Sequence, residues 1–201
     1  IIAAGTLVDT LSVVIAWAFG YVLALNFGTT PRGEMGINQS LLLNAFLVVE
    51  LCKLAVRILL APQHIGLRFL PVTDDNAAYW SFWLARLVSL LGYTFMFVSP
   101  MLASAISPAA ATAVQVLIMI TAVTVGVIIV LQNKDDVRVW LADLAVRRGN
   151  AGLWRVLAAV GQHWHVLAIV YLFALLVVWF ANPEEALPFM LGATVQSLLA
   201  I

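Results

Sequence analysis

The sequence predicts an all-α integral membrane protein with about six transmembrane helices and two short amphipathic interfacial helices between the fourth and fifth spans. Three observations predict it. Of 201 residues, 64% are hydrophobic and 10% charged, and the mean hydropathy of +1.05 lies far outside the range of soluble domains. The apolar residues are grouped in runs close to the ~20 needed to cross a hydrocarbon core. Charges recur in only one long segment, 133–162, where Lys134, Arg138, Arg147, Arg148 and Arg155 stand among the ten basic residues of the chain. A formal net charge of zero, with no basic stripe carrying interleaved aromatics, gives no sign of a nucleic-acid partner, and none is expected. The single cysteine, Cys52, lies in an apolar run and is expected as a buried thiol.

The first span covers 3–27, with Asp9 near its start and within reach of the headgroups. Residues 28–38 (GTTPRGEMGIN) form a loop dense in turn formers. The second span, 39–60, carries Glu50, Lys53 and Arg57 at spacings of three and four, which puts them in one narrow arc of a helix. These charges face protein or water, not lipid. Glu50 is expected to neutralise Lys53 in a salt bridge that docks the helix, while Arg57 snorkels to the interface; the competing reading is an ion path or a sensor.

A polar connection, 61–76, ends in Thr73 and Asp75, either of which suits a helix N-terminus. The third span, 77–99, opens on Tyr79, Trp80, Phe82 and Trp83, an interfacial aromatic belt, and Arg86 follows at a spacing that lets its guanidinium lie on those rings. Ser99-Pro100 and Ser107-Pro108 mark two breaks with no charge between them. The fourth span, 109–131, begins with small residues that allow close helix approach. Its Gln115, Thr121 and Thr124 are expected to bond to their own helix or to a neighbour.

The charged segment divides at Gly149-Asn150-Ala151-Gly152 into two helical patterns. One places Val137, Trp140, Leu141 and Leu144 on one face; the other repeats this with Leu153, Val156, Leu157 and Val160. These two helices lie in the cytoplasmic interface or extend the fourth and fifth spans as a hairpin. His163 and His165 are two apart, which points them to different sides of a helix and argues against a metal site. The fifth span is 163–181, with Trp164 and Trp179 at its ends, and a sixth begins at 186.

Three parts result: a four-helix transmembrane region (1–132), a cytoplasmic amphipathic helix pair (133–162), and a fifth span with the start of a sixth (163–201). The turns near 103 and 183 hold no Lys or Arg, whereas 133–162 holds five of them, so the N-terminus is expected in the cytoplasm. The opening at Ile1 and the end at Ile201 within an apolar run suggest a piece of a longer protein. No nucleophile–base pair, phosphate loop, metal cluster or haem motif stands out, so no catalytic, cofactor or metal residues are expected and the chain does not read as an enzyme.

Two stretches carry a family likeness. NAFLVVELCKLAVRILLAP and LPVTDDNAAYWSFWLARLVSLLGY resemble the N-terminal membrane region of the larger bacterial MscS-like mechanosensitive channels, the YbiO-type branch, over residues 35–201. The resemblance implies a bacterial inner-membrane, multi-pass homo-oligomer, commonly a heptamer, which opens on hypo-osmotic stretch. The sixth span would then lead into a pore helix and a cytoplasmic domain that have no counterpart in this chain. Under that reading the lipid contacts fall to Trp80, Trp83, Arg86, Trp140, Arg147, Arg148, Trp154, Trp164 and Trp179, with membrane lipids as partners. Two other functions remain open at this point: a secondary transporter using Asp9, Glu50, Lys53 and Arg57, and a non-conducting membrane anchor subunit.

Overall fold

The computed structural model describes residues 2–27, 35–60, 74–147 and 161–181, and every element among them is helical. The chain forms two compact units, Ile1–Ile118 and Met119–Ile201. The first contains α1 (Ile2–Phe27), α2 (Ile37–Leu60), α3 (Asp74–Tyr93), a π-helical turn (Thr94–Val98) and α4 (Ser99–Ala105). Helix α5 (Pro108–Gln132) begins in the first unit and ends in the second, which also holds α6 (Lys134–Arg147) and α7 (Trp164–Ala181).

Helix starts follow the local chemistry. At α2 the Gln39 Oε1 accepts from the Gly36 backbone N–H at 3.2 Å, which is the return half of a capping box. At α5, Ser107 caps: its Oγ accepts from the Ala110 N–H at 3.2 Å, and Pro108 follows where a missing N–H costs nothing. The thresholds of polarity inside the helices are handled locally. Thr10 bonds to the Thr6 carbonyl at 2.7 Å and Thr124 to the Ile120 carbonyl at 2.8 Å, so neither hydroxyl faces hydrocarbon unbonded.

Four segments are long and apolar enough to cross a membrane: Gly5–Phe27, Asn76–Ala105, Pro108–Gln132 and Trp164–Ala181. Helix α2 is as long as these at 24 residues and carries Glu50, Lys53 and Arg57, and it is not among them. The expected sixth span, 186–201, the second half of the charged segment and its break at 149–152 lie outside the described residues, as does Thr73.

One expected break is absent. Ser99-Pro100 does not end a helix: α3, the π turn and α4 follow one another without interruption from Asp74 to Ala105, and the chain turns only at Ile106-Ser107. The reason is a widened turn. The Ser99 N–H donates to the Thr94 carbonyl, five residues back, in the turn directly before the proline, which has no N–H to give. Helix α6 likewise continues from α5 almost directly. The Asn133 N–H donates to the Ile129 carbonyl and the Val137 N–H to the Asn133 carbonyl, both at 3.1 Å, so the helical ladder passes through residue 133.

Cys52 is exposed, contrary to the buried thiol expected from its apolar surroundings. Buried α2 residues are Ala45, Val49 and Leu54, and residues 51 and 52 fall on the outer face. An apolar run along a helix does not by itself say which of its faces is covered.

Candidate functional site

The candidate site is the set of charged and aromatic side chains that α1, α2 and α3 bring to one unit. Helices α1 and α2 run in opposite directions, as two contacts far apart show. Near one end Arg57 Nη1 meets Asp9 Oδ2 at 3.1 Å; towards the other, Leu43 packs so tightly on Gly20 that an added Cβ would lie 2.6 Å from its Cδ2. Helices α2 and α3 pack where Val49, only 1% exposed, presses its Cγ2 on Gly92. A methyl at residue 92 would overlap Val49, which explains why glycine stands there.

The three α2 charges do not act alike. Lys53 Nζ donates to Glu50 Oε1 at 2.6 Å, and the two side chains are 27% and 25% exposed, so this pair is largely sheltered. Both partners belong to α2, so the pair neutralises charge within the helix and does not itself bridge to a neighbour. Arg57 does not simply snorkel. It pairs with Asp9 on α1, a partner 48 positions away, yet its side chain remains 60% exposed and that of Asp9 44%. The four residues of the transporter alternative are therefore engaged with one another in two ion pairs.

The aromatic residues at the start of α3 pack on one another. Tyr79 meets Trp80 and Trp83 edge-on, at ring separations of 6.1 and 6.3 Å, and Phe82 meets Trp83 at 5.6 Å. The Arg86 guanidinium carbon sits 5.1 Å from the Phe82 ring centre, in cation–π range, with the charge exposed. Trp164 donates from Nε1 to the Lys134 carbonyl at 3.0 Å, tying the start of α7 to the start of α6. Trp179, expected as a lipid contact, is instead 1% exposed with its ring edge-on to Phe180 at 5.3 Å. The side chains of Trp140 and Arg147 and all of Arg148 and Trp154 lie outside the described residues.

A second polar link is interhelical. Gln115 on α5 donates to Ser99 Oγ on α4 at 2.5 Å, and Ser99 is 4% exposed. The sequence offered Gln115 two kinds of partner and nothing to choose between them, because the choice depends on how α4 folds back against α5. The Asp9–Arg57 pair left a fainter trace: opposite charges in neighbouring spans, each placed at the end where an antiparallel hairpin would bring them level.

No protein-family model matches the chain, and no solved structure matches it. Among curated proteins it is similar to the "Moderate conductance mechanosensitive channel YbiO" of Escherichia coli (strain K12), with 30% identity over 195 residues. The match takes in 97% of this chain but 26% of that channel's length. The chain is thus similar to the mechanosensitive channel YbiO along nearly all of its own length, and it spans about a quarter of the length of that relative.

Proposed function

We propose that the chain is the peripheral, tension-sensing membrane part of a mechanosensitive channel that releases ions and small solutes on hypo-osmotic stretch. The observation that carries this reading is the similarity to a mechanosensitive channel along 97% of the chain. The outward apolar surface is consistent with it: Leu7, Phe19 and Phe27 on α1 and Val170, Phe173 and Val177 on α7 are all more than half exposed, as lipid-facing residues must be. In this reading α2 also crosses the membrane, carrying its charges as ion pairs, and the segment 133–162 stays in the cytoplasm with the N-terminus. The assembly is a homo-oligomer in a bacterial inner membrane, a heptamer by family resemblance.

Stretch biases a two-state channel only through interactions that differ between the states. Trp80, Trp83 and Arg86 are the described residues placed to supply that difference, by holding one end of α3 at the headgroups while bilayer thickness changes. Trp140, Arg147, Arg148, Trp154 and Trp164 extend the set along the charged segment.

The test is patch-clamp recording of the full-length protein in liposomes under graded suction. Currents that rise with tension and no added solute are expected, and replacing Trp80, Trp83 and Arg86 together by Leu, Leu and Gln is expected to move the tension of half-opening. Silence over the whole tension range, with inserted and folded protein, would overturn the reading.

A further inference from the structure

We infer that Arg57 and Arg86 form a cationic ring level that binds anionic phospholipid headgroups, with Asp9 holding Arg57 partly in check. The inference rests on the reading of α1, α2 and α3 as membrane crossings.

The first step is the exposure of charge. Arg57 and Asp9 are paired at 3.1 Å, yet 60% and 44% of their side-chain surfaces stay open to the surroundings. Charge so open is disfavoured against hydrocarbon, so this end of the α1–α2 hairpin belongs at the headgroups. Glu50 and Lys53, one to two turns deeper, are the pair that is sheltered and mutually neutralised.

The second step brings in α3. It touches α2 at Val49–Gly92, and, read as consecutive crossings, the two helices run in opposite directions. Eight residues on from Val49 is Arg57, and eight back from Gly92 is Leu84, so Arg86 lies within about 3 Å of the Arg57 level along the helix axes at 1.5 Å per residue. Arg86 is exposed, and its guanidinium bends back over Phe82, toward Tyr79, Trp80 and Trp83. Aromatic rings of this kind sit at the headgroups on their own account.

The third step is an independent length check. Beyond this level, α1 from Asp9 to Phe27, α2 from Arg57 back to Ile37 and α3–α4 from Arg86 to Ala105 extend about 27, 30 and 29 Å. All three match a hydrocarbon core of ~30 Å. The same boundary therefore suits three helices, and α3 projects its aromatic turns past it.

At that level this register sets Arg57 and Arg86 with Asp9, two cations and one anion among the described residues, which leaves a positive surplus. Arg57 gives Nη1 to Asp9, but a guanidinium carries five N–H donors in a planar fork that fits a phosphate. A phosphodiester with a net negative headgroup satisfies both the charge and the geometry, whereas a zwitterionic headgroup returns a cation to a level that already has an excess.

The experiment reconstitutes the full-length channel in vesicles of equal phosphatidylglycerol and phosphatidylcholine and reads, by native mass spectrometry, which lipid stays bound. Arg57→Gln and Arg86→Gln are each expected to lower the phosphatidylglycerol preference about fivefold, the equivalent of the ~1 kcal/mol carried by one basic residue near an anionic surface. Asp9→Asn is expected to raise it, since it removes the competing carboxylate and leaves the guanidinium. Arg57→Lys keeps the charge and is expected to retain most of the preference, which separates loss of an anchor from loss of fold. An unchanged preference in both Gln variants and in Asp9→Asn overturns the inference, as does a fall in Asp9→Asn. Suction recordings on the same vesicles keep the two readings apart. A channel that gates without lipid preference sinks only the lipid level, and a silent one that retains the preference sinks only the channel.

Discussion

Helices α1 to α3 and helices α5 to α7 hold together by different means. In the first group an ion pair, Asp9 to Arg57, bridges α1 and α2, Glu50 and Lys53 neutralise each other within α2, and glycine stands at the tightest approaches. In the second, apolar side chains meet small residues. Leu172 Cδ1 would lie 3.1 Å from a Cβ added at Gly126, Leu141 packs on Gly161 at the same distance, and an indole donates to a backbone carbonyl between α7 and α6. The lesson is that one apolar composition supports two kinds of helix docking in lipid. Where water-loving groups are present they must be paired, and where they are absent close shape does the work.

The comparison can be broken at its tightest point first. Gly92→Leu forces a side chain into buried, β-branched Val49, which has no flexible end to move aside. It is expected to cost about 3 kcal/mol or to abolish folding, measured by unfolding of the full-length protein in detergent. A neutral result would mean that α2 and α3 do not meet at Val49. The charged side of the contrast is probed next. Lys53→Met leaves Glu50 without its partner and is expected to cost about 2 kcal/mol, less than the 3–5 kcal/mol of a fully buried pair because about a quarter of each side chain is exposed. The double change Glu50→Gln with Lys53→Met is expected to recover most of that loss in the same measurement. If it does not, Lys53 contributes through its packing and not through its charge. The smallest effect is expected at Trp164→Phe, which removes a solvent-exposed hydrogen bond to the Lys134 carbonyl and keeps the ring. A loss near 0.5 kcal/mol is expected. A loss as large as that of Lys53→Met would erase the distinction between the two groups.

Much of this was legible in the sequence, and the parts that were not share a cause. The positions of the helices followed from apolar runs, and the Glu50–Lys53 pair and the Arg86 stack on Phe82 followed from spacing within one helix. Spacing within a helix fixes geometry because the helix itself is rigid. What failed or stayed open depends on a second helix. Cys52 was expected inside because its neighbours are apolar, but apolarity in lipid does not say which face is covered. Trp179 was expected at the lipid for its place near a span's end, and it is buried. The Arg57 partner on α1 and the Ser99 partner of Gln115 required knowing which helices meet and in what register. Pro100 misled for a subtler reason: the usual rule that proline ends a helix assumes the preceding turn keeps its α spacing, and here it does not.

That widened turn has a consequence for how the long helix can change over time. A turn closed by a bond of five residues holds one residue more than the α pattern needs, and each residue advances the helix face by about 100°. Removing one residue between 94 and 98 would convert the loop of backbone to ordinary α spacing and carry the face of α4 back into phase with α3, with Gly92 and its contact to Val49 left in place. The segment is thus the place in the long helix best able to absorb a one-residue deletion. Deletions there would be absorbed as a change of turn, whereas the same deletion within 74–93 would slide the aromatic belt against its own bilayer level.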